Sequence, residues 1–290
     1  SAASDGYKRQ TLGYGAEFLP IAQLFQVLGG HPEFSVLEDL LTNGMDYRFL
    51  REITEDERLK ELHGMIERGN HKSTEKGSHK AVELIAKDVA HGFSIPVSPE
   101  TAKKIVGAMI QPLGLATQFG LSEDGSRKVK YRLTQDLSFS LTEEMMSINS
   151  RIDMARYPEM IYGWCLSRIV HFIVSLRLEY PGKRIFISKY DYSDAYRRMA
   201  HSASAAAQSI AILMGVAYIA TRLTFGGSPN PPSWCLFSEM VTDLANEISC
   251  CKLYELFTYP DPTTASGTRT PHNYHSNVPS IIMPSLHLDH

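Results

Sequence analysis

At 290 residues, with 29 Lys+Arg against 32 Asp+Glu and a net charge of −3, the chain can form one large domain or two small ones around a sizeable core. A hydrophobic fraction of 43% beside 21% charged residues excludes wholesale disorder and collagen-like or coiled-coil architectures, and the near-neutral balance excludes a histone-like protein held to nucleic acid by bulk charge. It leaves room for a nucleic-acid enzyme, whose basic grip and acidic metal site cancel in the sum.

The chain opens Ser1-Ala2-Ala3-Ser4-Asp5, without an initiator Met or a cationic, apolar signal segment. This predicts a fragment or processed product of an intracellular protein, cytoplasmic or nuclear and not secreted. Cys165, Cys235, Cys250 and Cys251 form no Cys-x-x-Cys pair and fit reduced thiols.

Residues 1–111 read as mainly helical, with apolar residues at three- and four-residue spacing near Ala16–Leu28, Ser35–Leu41 and Asp56–Glu67. A polar loop is predicted over Gly69-Asn70-His71-Lys72-Ser73 and its echo Gly77-Ser78-His79-Lys80, then a helix over Ala81–Ala90 stopped by Gly92. The loop lacks the glycine spacing of a phosphate-binding P-loop, and His63, His71 and His79 lack metal-ligand spacing. Ser98 and Pro99 start a helix predicted to run through Thr101–Ile110.

The pattern then changes. Leu113–Leu121 and Val129–Leu137 predict two strands joined at Ser122-Glu123-Asp124-Gly125-Ser126, with Lys128, Lys130 and Arg132 on one face of the second. A helix is predicted at Pro158–Leu178 and a strand at Arg184–Tyr190. The uncharged run Met199–Thr221 matches a membrane span in length, but its serines, Gln208 and Gly215 divide it into a helix at Ala203–Ser209 and strands at Ile210–Met214 and Val216–Thr221. No membrane segment is expected. Pro229, Pro231 and Pro232 are read as breaking the chain ahead of a helix at Trp234–Glu247, and residues 257–290 as an irregular, flexible tail, a reading preferred over metal ligation by His272 and His275 at three-residue spacing.

Three segments occur in fixed order: Tyr131-Arg132-Leu133-Thr134-Gln135-Asp136-Leu137-Ser138, Tyr190-Asp191-Tyr192-Ser193-Asp194-Ala195-Tyr196-Arg197, and Leu223-Thr224-Phe225-Gly226-Gly227-Ser228-Pro229-Asn230-Pro231. Singly each has an ordinary structural explanation: a solvated basic strand, an Asp capping a helix, a proline-rich turn. Together they resemble the reverse transcriptases of eukaryotic retrotransposons, of the gypsy and tyrosine-recombinase-encoding kind, over about residues 128–248. The resemblance implies an α+β fold, a partial right-hand polymerase with fingers and an incomplete palm behind a mainly helical N-terminal region. The expected divisions are 1–111, 112–182 for the fingers-like hairpin and helix, 183–256 for the incomplete palm, and the tail. It implies RNA-directed DNA synthesis by two-metal phosphoryl transfer, with Mg²⁺ as cofactor and an RNA or DNA template-primer and deoxynucleoside triphosphates as partners.

By the same resemblance Asp191 falls on the first catalytic, metal-binding carboxylate, and Tyr192 where a backbone amide meets phosphate. Tyr196 falls beneath the incoming sugar, where an aromatic ring excludes a ribose 2′-hydroxyl. Arg132 falls on the fingers arginine that grips the triphosphate, with Lys130 a second basic position, while Phe225 and Gly226 fall on the segment packing against nucleotide and template. Asp136 is expected to anchor the fingers. The family's Tyr-x-Asp-Asp hairpin is absent from the sequence; the nearest candidate, Leu286-His287-Leu288-Asp289-His290, has His in place of the second Asp. Little or no polymerase activity is therefore expected of these 290 residues. The alternatives are a non-catalytic retroelement remnant that at most binds nucleic acid, and an unrelated helical interaction protein.

Overall fold

The uncharged run Met199–Thr221 is apolar because it builds a sheet covered on both faces. In the computed structural model, which describes residues 18–122, 124–160, 165–187 and 192–250, strands β4 (Ile210–Leu213) and β5 (Val216–Ala220) form a hairpin around Met214 and Gly215. Both turn residues take positive φ, 51° and 76°, where glycine is at ease. A third strand, β1 (Ser94–Val97), adds antiparallel to β5, giving the order β1-β5-β4. Pro96 lacks an N–H, which suits the edge position of β1.

Alternation along β4 and β5 divides the core. Ile210, Ile212, Ala217 and Ile219 pack with Leu62 and Met65 of the helix Glu55–Arg68, while Ala211, Leu213 and Tyr218 pack with Ala81 and Ile85 of the helix Ser78–Ala90. A sheet buried on both sides needs near-continuous apolar strands, which is the pattern a membrane span also shows. Among the described residues no helix is long and apolar enough to cross a membrane.

Helices are numbered in chain order: α1 (Ile21–Leu28), α2 (Phe34–Asn43), α3 (Glu55–Arg68), α4 (Lys72–Lys76), α5 (Ser78–Ala90), α6 (Pro99–Lys103), α7 (Ile148–Arg151), α8 (Cys165–Glu179), α9 (Ala203–Gln208) and α10 (Asn230–Cys250). Thr54 and Glu57 close a capping box at the start of α3, and Ser98 caps α6 through the Thr101 N–H, with Pro99 in the first turn.

Several predicted elements are corrected. The polar stretch Gly69–Lys80 is largely helical: α4 occupies its centre, and α5 starts at Ser78. The helix predicted to Ile110 stops at Lys103, and Gly107 turns the chain with φ 75°. Beyond that turn the backbone pairs with α9 and β4 instead of itself: the Met109 N–H donates to Ala207 O and the Gln111 N–H to Ile210 O. Arg184–Ile187 is not a strand, and the rest of that prediction, with Asp191, lies outside the described residues. Pro231 and Pro232 do not precede the last helix but sit inside its first turn, where no intrahelical N–H bond is required of them. The tail 257–290 also lies outside the described residues.

The second sheet is the hairpin of β2 (Leu113–Leu121) and β3 (Arg127–Gln135), in register from Leu113↔Gln135 to Leu121↔Arg127. Gly125 carries φ 78° in its connection. Leu113 and Gln135 at the base are buried, whereas from Ala116 and Arg132 outward both strands are exposed. The architecture is thus mixed α+β with small antiparallel sheets.

The chain divides into two compact units. The first comprises Asp39–Pro158 with Asp194–Trp234 and contains both sheets. The second comprises the described residues of Pro20–Glu38, Glu159–Ser193 and Cys235–Cys250. There α1 buries Leu24 and Leu28, the rings of Phe25 and Phe34 meet edge-on at 5.6 Å, and His31 Nε2 lies 3.4 Å from Asp243 Oδ2.

Candidate nucleotide site

Three of the residues singled out in the sequence come together in the first unit, although they lie on three separate segments. Arg132 projects from β3, and its guanidinium carbon lies 5.4 Å from the centre of the Phe225 ring. That ring is also 5.2 Å from the ring of Tyr196, the planes tilted by 43°. Phe225 is the common neighbour, and it remains 38% exposed, so the group opens to solvent.

The loop carrying Phe225 is strapped to the end of β3. The Gln135 N–H donates to Phe225 O at 2.8 Å. Gly226 follows with φ 140°, and a Cβ at that position would overlap the Gln135 carbonyl oxygen. Only glycine permits both the conformation and the approach. Asn149, next to the start of α7, completes the strap. Its amide donates to Gly226 O at 2.7 Å and to Ser138 Oγ at 2.8 Å, and its Oδ1 accepts from the Ser228 N–H at 2.9 Å. Further on, Asn230 Nδ2 donates to Thr224 O at 2.8 Å and closes the turn.

Tyr196 sits in a single 3₁₀ turn, Ala195–Arg198, entered through Asp194 with φ 52°. The next residue, Arg197, points into the protein. It donates to Leu223 O at 3.1 Å and pairs with Asp88 of α5 at 2.6 Å. Burial raises the Asp88 carboxyl above its ordinary value, against the opposing pull of Arg197, and burial lowers the Arg197 guanidinium.

Asp136 serves as an anchor. His71 Nε2 lies 2.9 Å from its Oδ2, and the Ser138 N–H donates to its Oδ1 at 3.1 Å. Arg68 caps this corner, 3.2 Å from His71 Nδ1 and stacked 4.1 Å above the Phe139 ring. These contacts tie the base of the hairpin to the segment between α3 and α4.

The other sequence-derived residues fall elsewhere. Lys130 is exposed on the same face of β3 as Arg132, paired across to Gln118. Tyr192 belongs to the second unit, where its ring meets Phe237 edge-on at 6.4 Å. Asp191 lies outside the described residues. Among the described residues no group of three or more His, Cys, Asp or Glu side chains is placed to hold a metal ion. Sequence reasoning missed Asn149, Gln135 and Asp88, because each acts through contacts many residues away that no local periodicity records.

Chemically, the cluster offers an exposed planar cation suited to phosphate oxygens beside two aromatic rings suited to a sugar or base. No family model matches the chain, and comparisons with curated proteins and with solved structures find no match either.

Proposed function

We propose that the chain is a nucleotide-gripping, reverse-transcriptase-like piece of a retroelement polymerase: fingers and the first part of a palm. One observation carries the reading. Three motifs separated by about sixty and about thirty residues deliver Arg132, Tyr196 and Phe225 to one solvent-open cluster. In that reading Arg132 holds the triphosphate and offsets its charge, Tyr196 lies under the sugar, and Phe225 with Gly226 packs against the nucleotide. Lys130 adds a second positive charge along the strand, about 7 Å away at two residues' rise.

Magnesium enters this reading through Asp191, whose carboxylate would help hold an ion that would offset phosphate charge. The described residues hold no group of three or more His, Cys, Asp or Glu placed for an ion, and the sequence contains no Tyr-x-Asp-Asp, so in this reading the second carboxylate pair of a two-ion cage is missing. The expected behaviour of these 290 residues is nucleotide binding without primer extension.

Equilibrium titration with a deoxynucleoside triphosphate and Mg²⁺ tests this. Arg132→Ala should weaken binding about tenfold or more, and Arg132→Lys should restore part of the loss, because it keeps the charge without the fork. Absence of binding, or binding indifferent to Arg132→Ala, overturns the reading. Primer extension on an RNA template that Asp191→Ala abolishes would overturn its inactive part.

A second reading, a non-catalytic nucleic-acid binder, is favoured by the exposed Lys128, Lys130 and Arg132 on one face of a hairpin whose strands carry no acidic residue. It predicts RNA binding that weakens steeply with salt, without any selective affinity for nucleotides.

A further inference from the structure

Resting on the nucleotide-site reading, we infer that Asp88, which belongs to none of the three motifs, is a positioning residue for Tyr196. The turn that carries Tyr196 is short, and a 3₁₀ turn holds itself weakly. The backbone behind it is tied by the Leu223 N–H, which donates to Met199 O at 3.1 Å, and the turn itself is braced by the next side chain. Arg197 spans two segments: it donates through Nη1 to Leu223 O, two residues before Phe225, and through Nη2 to Asp88 Oδ2, 109 residues away in sequence. One guanidinium therefore joins the segment that delivers Tyr196 to the segment that delivers Phe225. The two rings meet at 5.2 Å beside this junction.

Asp88 is what keeps that guanidinium inside. The side chains of Arg197 and Asp88 are only 15% and 18% exposed. The Arg197 guanidinium also lies 6.0 Å from the Phe93 ring, a weaker partner than a carboxylate. Without the Asp88 carboxylate, the buried positive charge keeps only the weaker influence of Asp194 and moves towards water, taking the adjoining Tyr196 with it. Arg132 is held independently, by the β2–β3 register and the strap at Gln135. Loss of Asp88 therefore acts on the sugar end of the site and leaves the phosphate grip in place.

The test compares binding of a deoxynucleoside triphosphate and the matching ribonucleoside triphosphate, each with Mg²⁺, to the whole chain and to Asp88→Asn. The near-isosteric amide keeps an acceptor for Arg197 but removes the charge. The expected result is a preference for the deoxy form reduced about tenfold towards parity, with deoxynucleotide affinity little changed. Asp88→Glu should recover part of the preference, and Tyr196→Ala marks its complete loss. A merely structural role would weaken both ligands together. An unchanged ratio of affinities in Asp88→Asn overturns the inference while the nucleotide site stands. If the unsubstituted chain binds neither nucleotide, both fall. Amide hydrogen exchange gives a readout free of ligand: Asp88→Asn should accelerate exchange in residues 194–198 and 223–226 more than in β2 and β3, and uniform acceleration would overturn the inference.

Discussion

His201 is a buried base whose protonation should limit stability in acid. It is 8% exposed, its Nδ1 lies 3.0 Å from Ala220 O, and its Nε2 has no hydrogen-bond partner among the described residues. Burial, with Arg197 and Arg222 nearby, pushes it from 6.5 down to about 4. The unfolded chain takes up this proton below pH 6.5, whereas the folded chain resists it until about pH 4. Stability is therefore lost as pH falls through this window, and the contribution flattens below it. At about 1.4 kcal/mol per pH unit, the full window corresponds to about 3 kcal/mol. The perturbation is His201→Asn, whose amide can still donate to Ala220 O. Urea unfolding at steps from about pH 7 to about pH 4 should give a steeper decline for the unsubstituted chain than for the variant, by about 3 kcal/mol across the range. Carboxyls raised by burial, among them Asp88, Glu61 and Glu239, act in the opposite direction but are common to both proteins. Equal slopes would refute the reasoning.

Gly226→Ala should expel the Phe225 loop from the end of β3, since the added methyl meets the Gln135 carbonyl and the φ of 140° strains any L-residue. Thermal unfolding should register a loss of about 2 kcal/mol or more, with nucleotide affinity falling in step. Asn149→Ala removes three hydrogen bonds from the same strap and should cost about 1–3 kcal/mol in chemical unfolding. Asn149→Asp keeps the Ser228 bond and lets the Ser138 hydroxyl donate to the carboxylate, but sets a charged oxygen against the Gly226 carbonyl, so it should still destabilise through that single contact.

The hairpins were the most legible part of the fold. Alternation and the glycine turns at Gly125 and Gly215 located all four of their strands within two residues at the ends, because register and turn chemistry are local properties. β1 was not legible: four residues with a central proline carry little strand signal, and pairing with β5 is a tertiary fact. α6 was overextended because Ile105–Ile110 is apolar at helical spacing, while Met109 and Gln111 give their backbone N–H groups to α9 and β4. At the candidate site, motif chemistry picked out Arg132, Tyr196 and Phe225, but their meeting depends on contacts no spacing encodes. Asp88 reads as one more polar residue on a helix, and Asn149 as one of several polar residues around α7.

The bare outer part of the β2–β3 hairpin makes it a lever. Its purchase on the first unit runs from the Leu113↔Gln135 base to the Leu115↔Leu133 pair, where the Leu115 N–H donates to Ser73 Oγ at 3.1 Å and Leu133 packs against the core, and the paired strands reach about 20 Å beyond that at the ordinary rise per residue. A rotation of about 10° at that pair would carry the tip through about 3 to 4 Å but Arg132, one residue from Leu133, through less than about 1 Å. Charge placed along the strand is thereby graded by travel: Lys128 sweeps, Lys130 follows, and Arg132 stays close to the fulcrum. Under the nucleotide-site proposal, a grip near the pivot would keep hold of a small ligand while the outer lysines close over, or release, whatever lies beyond it.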